Sequence, residues 1–331
     1  RQLELEAQRQ LQEEERAKSE EERLKQVQRT EQLKQAERQA EEAESKKYAF
    51  VKRAQSLISN LEVVRSSSLL AEFDKSKAVS RRRLQFKKVV NGRINTLSHE
   101  VTKILDVGRV VVEAIQSASR DDEAASTAGG EGVMTMGKKY LLDLLASNLI
   151  VRVQAGTFNG VRGDGFPLAA MIAQVSTQCT EIGPLLEAHL YSHCPTAIPS
   201  LSLASPDGDE NELMESLGMI RDKNGEFESF DKFLNRTEGL ISIMADIMSS
   251  TPSDHTLLGG HGGAMIWLER FLDLLPEAPT SPLPLITAPV LVAFLTGAGH
   301  MLANKFPTKM KSAFDVIRND ILKRLDESPV G

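Results

Sequence analysis

The residues best able to do chemistry here are cations. Between Asp74 and Glu100 the sequence has no acidic residue, yet it carries Lys75, Lys77, Arg81, Arg82, Arg83, Lys87, Lys88 and Arg93. In a chain of net charge -6 this is a local island. If the stretch is helical, Arg83, Lys87 and Lys88 fall three to five residues apart on roughly one side. Clustered fixed cations suit a multivalent phosphate ligand: a nucleic-acid backbone, an inositol polyphosphate or an anionic protein surface. A plain solvated face or a nuclear-import signal is the alternative. Phe86 alone interleaves these cations, so stacking on single-stranded bases is not supported.

Other constellations are weaker. His189, His193 and Cys194 have the spacing of a shared helix face, but a closed tetrahedral zinc site needs four ligands. Cys179 is isolated and no Cys-x-x-Cys occurs, so ordinary helix-end residues and no metal are expected. The run Gly156, Gly160, Gly163, Gly165 has no lysine after it and reads as a loop, not a phosphate cradle. Gly259 to Gly263 precedes a helix containing Trp267 and reads as a sharp turn rather than an anion site. No nucleophile–base set stands out, so the expectation is a binding protein and not an enzyme.

These groups need elements to position them, and the elements are helices. The first glycine is Gly92 and the first proline Pro167. Residues 1–47 are rich in Glu, Gln, Lys, Arg and Ala, with Glu14–Lys18, Glu21–Lys25 and Glu42–Lys46 four apart and the acid first. Such pairs support an exposed helix by about 0.2–0.5 kcal/mol each. The apolar positions keep no clean heptad, so a long solvated helix is favoured over a strong coiled coil. From Tyr48 the stripe Phe50, Ala54, Leu57, Ile58, Leu61, Val64 has amphipathic spacing. A further helix is expected over roughly 69–118, a polar, Gly-rich flexible loop over about 120–136, and then a more apolar helix with Tyr140, Leu141, Leu144, Leu145 and Leu149 on its inner face. Later helices are expected near 167–179, 184–190, 210–219, 228–250, 263–275, 285–304 and 307–326.

Strand-type alternation is nearly absent. The fold class expected is therefore all-α, an irregular helical-repeat (HEAT-like) solenoid over 48–331 preceded by the charged helix of 1–47. The longest apolar stretch, near Leu285–Leu295, contains Pro289 and is too short to span a bilayer. Two cysteines and no signal-peptide pattern lead to the expectation of a soluble, intracellular chain with reduced thiols. Residue 1 is not methionine, which reads as part of a longer protein.

An ordered set of short motifs sharpens this reading. They are Gly165-Phe166-Pro167-Leu168-Ala169; Ala188-His189-Leu190 with Cys194-Pro195 and Pro199; Leu217-Gly218; Phe233-Leu234-Asn235-Arg236 with Gly239-Leu240-Ile241; Gly260-His261-Gly262; Trp267-Leu268-Glu269-Arg270; and Ala293-Phe294-Leu295 with Gly299. In this order, over about 140–318, the chain resembles the C-terminal domain of the nuclear-pore mRNA export factor family GLE-one, whose members carry a coiled coil before it. The resemblance implies a helical-repeat domain that binds a DEAD-box RNA helicase at the cytoplasmic face of the nuclear pore and stimulates its ATPase cycle. It implies a nucleoporin peptide and translation initiation factors as further partners, and inositol hexakisphosphate as a bridging ligand.

Relatives carry Lys-Lys immediately before the Cys-Pro pair, where this chain has Ser192 and His193. A basic position on the preceding helix is retained as Arg152, with Asn148 one turn earlier. Without those two lysines the expected bridge is either weak or absent, or rebuilt elsewhere; the candidate polyphosphate contacts are Lys87, Lys88, Arg93, Lys103, Lys138, Lys139 and Arg152. The alternative function is a helical-repeat adaptor in translation or RNA processing that binds RNA directly through residues 75–93.

Overall fold

The computed structural model describes residues 50–65, 77–125, 136–155, 165–198, 210–251, 257–275 and 285–327, with a few single positions between 29 and 38. The chain divides into two compact units, Arg1–Lys52 and Arg53–Gly331. Of the first unit, Arg29, Glu31, Lys34, Gln35, Arg38 and 50–52 are helical. The rest of the long charged helix expected over 1–47 lies outside the described residues.

The second unit is all-α among its described residues. Its first helix, α1, covers 53–65 and buries Ala54 and Leu61, two members of the expected stripe. Then come α2 (Lys77–Ile94) and α3 (Val101–Ala125). The sequence suggested one helix across most of this span; the structure breaks it at residues 95–100. The cause is local. Thr96 and Leu97 donate to carbonyls three residues back, at Arg93 and Ile94, which closes α2. Ser98 Oγ then accepts the Glu100 amide at 3.4 Å, and asparagine, serine and threonine here divert backbone groups from the helix. α3 runs on through Asp121-Asp122-Glu123, which the sequence reading assigned to the loop. Residues 126–135 of that loop lie outside the described residues.

α3 buries Ile104, Val107, Val111, Val112, Ile115 and Ala118, a stripe of three- and four-residue steps. α4 (Met136–Gln154) is apolar on two sides, burying Leu141, Leu145 and Leu149 together with Leu142, Ala146, Ile150 and Val153. It packs against α3, and against the helices Ile182–His193 and Phe230–Ser250. α5 (Phe166–Gln178) begins with Pro167 in its first turn, where a missing N–H costs nothing. α6 (Ile182–His193) ends in the short 3₁₀ turn Pro195–Ala197. α7 (Glu210–Ser216) precedes a loop closed by an isolated bridge between Arg221 and Phe227.

α8 (Phe230–Ser250) is the hub. It buries Phe233, Leu240, Ile241, Met244, Ala245 and Met248 and packs on α4, α5, α9 (Gly260–Asp273) and α10 (Thr287–Lys305). A fully buried side chain of this size contributes about 1.5–3 kcal/mol, so one central helix can hold four others. α10 comes closest because of Gly297: a Cβ there would lie 2.8 Å from Ala245 Cβ and 3.1 Å from the Asp246 amide nitrogen. The chain finishes with α11 (Pro307–Val316), a π turn (Ile317–Ile321) and α12 (Leu322–Glu327). Among the described residues no helix is long and apolar enough to cross a membrane.

Candidate partner-binding and polyanion site

A helix end leaves carbonyls unpaired. At the end of α6 the His193 carbonyl accepts from Arg236 Nη1 at 2.8 Å. Arg236 lies on α8 with its side chain 6% exposed. Its other terminal nitrogen donates to Gly218 O at 2.7 Å and to the Glu228 carboxylate. One buried guanidinium therefore joins three segments. Gly218 has φ +85°, and a Cβ there would lie 2.4 Å from Pro195 Cδ, so glycine is needed for both conformation and space. Beside it Cys194 is buried, and burial pushes its thiol up to about 12, which keeps it neutral and inert. Trp267 Nε1 donates to Ala197 O at 2.9 Å, and its ring stacks on Phe294 (4.2 Å) and Phe271 (5.1 Å). Motifs far apart in sequence, Cys194-Pro195, Leu217-Gly218, Arg236, Trp267 and Phe294, thus meet in one knot. Gly259 and Gly260 both have positive φ, so the glycine run before α9 is the sharp turn expected.

A polar cluster next to the knot binds α1. Glu187 on α6 is buried and accepts from Arg53 at 2.9 and 3.1 Å, and from the Leu258 amide. Burial raises its carboxyl above the ordinary value against the pull of Arg53. The Leu258 backbone it holds has φ +51°, a strained value for a branched residue. Farther along, His189 Nε2 lies 2.7 Å from Asp143 Oδ1, and Arg65 Nε is 3.5 Å from the same oxygen. Arg65 Nη2 is also 3.4 Å from His189 Nε2. An arginine nitrogen only donates, so with Nε2 carrying the proton toward Asp143, both donors share that one carboxylate. Burial works to raise the Asp143 carboxyl, but the His189 hydrogen bond and the Arg65 charge outweigh it and hold it below the usual range.

His193 stacks on His189 with ring centroids 6.4 Å apart. Burial, then the neighbouring His189, Arg65 and Arg236, push its pKa below the ordinary value. Ser192 Oγ is turned back onto Ala188 O at 2.7 Å. Positions 192 and 193 therefore supply no fixed cation. No group of three or more His, Cys, Asp or Glu among the described residues could hold a metal ion. None of Arg53, Arg65, Asp143 and Glu228 was picked out from sequence. The only signal was an acid, Glu187, inside an otherwise apolar helix.

Three of the seven expected cations lie along a seam between α2 and α4. Asn148 donates to Asn91 Oδ1 at 2.8 Å, and Arg152 Nη2 donates to the Asn95 side chain. Both pairs are 57 residues apart, so α2 and α4 run parallel and in register there. Lys87 and Lys88 are exposed one turn before Asn91 on that stripe. They lie about 12 Å from the level of Arg152 at 1.5 Å rise per residue. Arg93 is exposed near the α2 end, and Lys103, in the first turn of α3, is 3.5 Å from Glu100. Lys138 and Lys139 sit at the opposite end of α4, about 20 Å from Arg152 by the same rise. Lys138 is half-buried and paired with Glu181. Lys87, Lys88 and Arg152 share the seam, Arg93 and Lys103 flank its end, and Lys138 and Lys139 stand apart.

The family described as GLE1-like protein matches residues 60–318. Among curated proteins, mRNA export factor GLE1 of Danio rerio is 27% identical over 165 residues, 48% of this chain and 22% of that protein. The Rattus norvegicus factor is 25% identical over 167 residues, 49% of this chain and 23% of that protein. The chain spans under a quarter of the length of these relatives. Among solved structures, a complex described as the S. cerevisiae Dbp5 C-terminal domain, carrying a substitution, bound to Gle1 and IP6 contains a similar chain. The TM-score is 0.61 at 14% identity, with 84% of this chain and 90% of that one covered. A second such complex, with a substituted Gle1, gives the same values. At this identity the likeness is one of fold.

Proposed function

Because the chain belongs to the GLE1-like protein family, we propose that it is a non-catalytic mRNA export factor that docks on a DEAD-box RNA helicase and stimulates its ATPase, with inositol hexakisphosphate bridging the two. The observation that carries this reading is the parallel α2–α4 seam, which sets exposed Lys87 and Lys88 in line with Arg152 on a fold shared with a protein solved in complex with Dbp5 and IP6. A polyphosphate gains from several fixed cations on rigid helices, because little side-chain freedom is left to lose on binding. Arg93, near the end of α2, and Lys103, beside Glu100 at the start of α3, are further candidates off the seam; Lys138 is engaged with Glu181 and contributes less. With no lysine at 192 and 193, the bridge rests on this seam.

The wider reading goes with it. The stacked helices form an irregular, HEAT-like repeat over 48–331, α8 lying at its centre, with the charged helix of 1–47 preceding it. The domain works at the cytoplasmic face of the nuclear pore, held by a nucleoporin peptide, and meets translation initiation factors in the cytoplasm. Catalysis belongs to the helicase.

The test is ATP turnover by a DEAD-box helicase with RNA, with and without this chain, as inositol hexakisphosphate is titrated. Stimulation that strengthens with the polyphosphate, and falls for the Lys87→Ala/Lys88→Ala/Arg152→Ala variant, is the expected result. Direct RNA binding without stimulation would favour the RNA-binding adaptor instead.

A further inference from the structure

A groove beside α8 shares no lining residue with the seam or the knot. It is an open depression of about 760 Å³ between α8, α10 and the start of α5. Phe166 and Val292, 48% and 61% exposed, form its apolar walls with Leu295. His99 and His300 stand at its rim. On its floor is Asp246, with no hydrogen-bond or ion-pair partner among the described residues. Burial alone raises that carboxyl to about 6. Two glycines give it room: a Cβ at Gly165 would lie 2.7 Å from Asp246 Oδ2, and one at Gly297 2.9 Å from Oδ1. Phe166 also borders a second depression of about 320 Å³, lined in part by Ala170, Ala173 and Ser250, whose Oγ lacks a hydrogen-bond partner among the described residues.

Near neutral pH an ionised carboxylate therefore sits in a groove of mixed lining that, among the described residues, holds no lysine or arginine, only the imidazoles of His99 and His300. Such a group is unfavourable alone and favourable once a donor arrives. Ser242, Asp246 and Ser250 repeat every fourth residue on α8, about 6 Å apart by helix rise. An extended chain repeats its same-face side chains every ~6.6 Å. We propose that this groove binds an extended segment of a partner protein, with a basic side chain on Asp246 and an apolar side chain two residues away packed beside Phe166. The carboxylate gives the segment its charge preference, and the exposed apolar walls give it area. The proposal goes beyond the helicase reading and does not depend on it.

The test is a methyl NMR titration of the labelled 331-residue chain with a capped heptapeptide, Gly-Ser-Phe-Ser-Arg-Ser-Gly, and with the same peptide carrying citrulline or Glu in place of Arg. Saturable shifts of the Val292 and Leu295 methyls at millimolar peptide are expected. The Arg peptide should bind about fivefold or more tightly than the citrulline peptide, from one charge-assisted contact. Asp246→Asn should remove that difference while leaving citrulline-peptide binding in place, and Val292→Glu, on an exposed position, should abolish both. No groove shifts, or equal binding of the Glu peptide, would overturn the proposal. So would concentration-dependent shifts of these methyls without peptide, which would make a second copy of the chain the occupant. The helicase assay reads a different surface, so loss of stimulation there leaves these outcomes unchanged.

Discussion

Asp143 Oδ1 and His189 Nε2 lie 2.7 Å apart, and this contact between α4 and α6 is also where α1 is anchored, through Arg65. His189 is buried, so its ring proton has no water to turn to. Asp143→Ala should destabilise the domain by about 1–3 kcal/mol, the penalty for a buried donor without an acceptor. Its folded-state pKa is depressed, so the stabilisation is present above the unfolded carboxyl value and is lost as pH falls through the folded one. Urea unfolding of wild type and Asp143→Asn should differ at pH 7, and the difference should shrink as pH falls below the unfolded carboxyl value. A difference that stays constant or grows as the pH is lowered from 7 would refute the account.

Arg236 satisfies His193 O, Gly218 O and Glu228 from a site with almost no solvent access. Arg236→Ala leaves Glu228 with the Ile220 amide but no cation, removes this donor from both carbonyls, and should lower stability by about 3–5 kcal/mol. Lysine cannot reach three acceptors in a planar fork, so Arg236→Lys should recover less than half of the loss. Thermal melts of the three proteins check this.

Two glycines of α10 should respond with opposite signs. Gly297→Ala drives a Cβ against Ala245 and the α8 backbone, and overpacking of this kind costs about 1–3 kcal/mol. At Gly299 a Cβ meets only Leu295 side-chain carbons at 3.6 and 3.8 Å. Gly299→Ala therefore adds ordinary contact and removes unfolded-chain freedom, a gain of about 0.5–1 kcal/mol. Denaturant midpoints moving the same way would show the α8–α10 spacing to be wrong.

Asp246 has the reverse linkage from Asp143. Its carboxyl is raised to about 6, so its contribution is fully present below the unfolded carboxyl value and is lost as pH rises through 6. At pH 7.5 Asp246→Asn should raise the melting temperature by a few degrees, on the order of 1 kcal/mol, because it removes a half-buried charge that has no partner among the described residues. At pH 4 the two proteins should melt together. Destabilisation by Asn at pH 7.5 would mean that the carboxylate has a partner after all.

The helical class, the apolar stripes of α1 and α4, and the turn at Gly259–Gly260 were legible in the sequence, because each depends on residues a few positions apart. The family motifs were legible as an ordered set as well. The cations were legible as types, and the chain placed Lys87 and Lys88 on an exposed helix as their spacing required. The break at 95–100 was missed because apolar periodicity on either side hid a run of residues that divert backbone hydrogen bonds.

The amino-acid sequence by itself determined that this is a helical protein of the GLE1-like family with a cationic stretch near its start. Only the tertiary structure decided which residues act together: Arg65 with His189 across 124 positions, Arg152 with Asn95 across 57, and Asp246 beneath Gly165 and Gly297. The physical reason is that periodicity reports which face of a helix is buried. The register and spacing of two packed helices depend on the side-chain volumes of both, and no local pattern contains that sum.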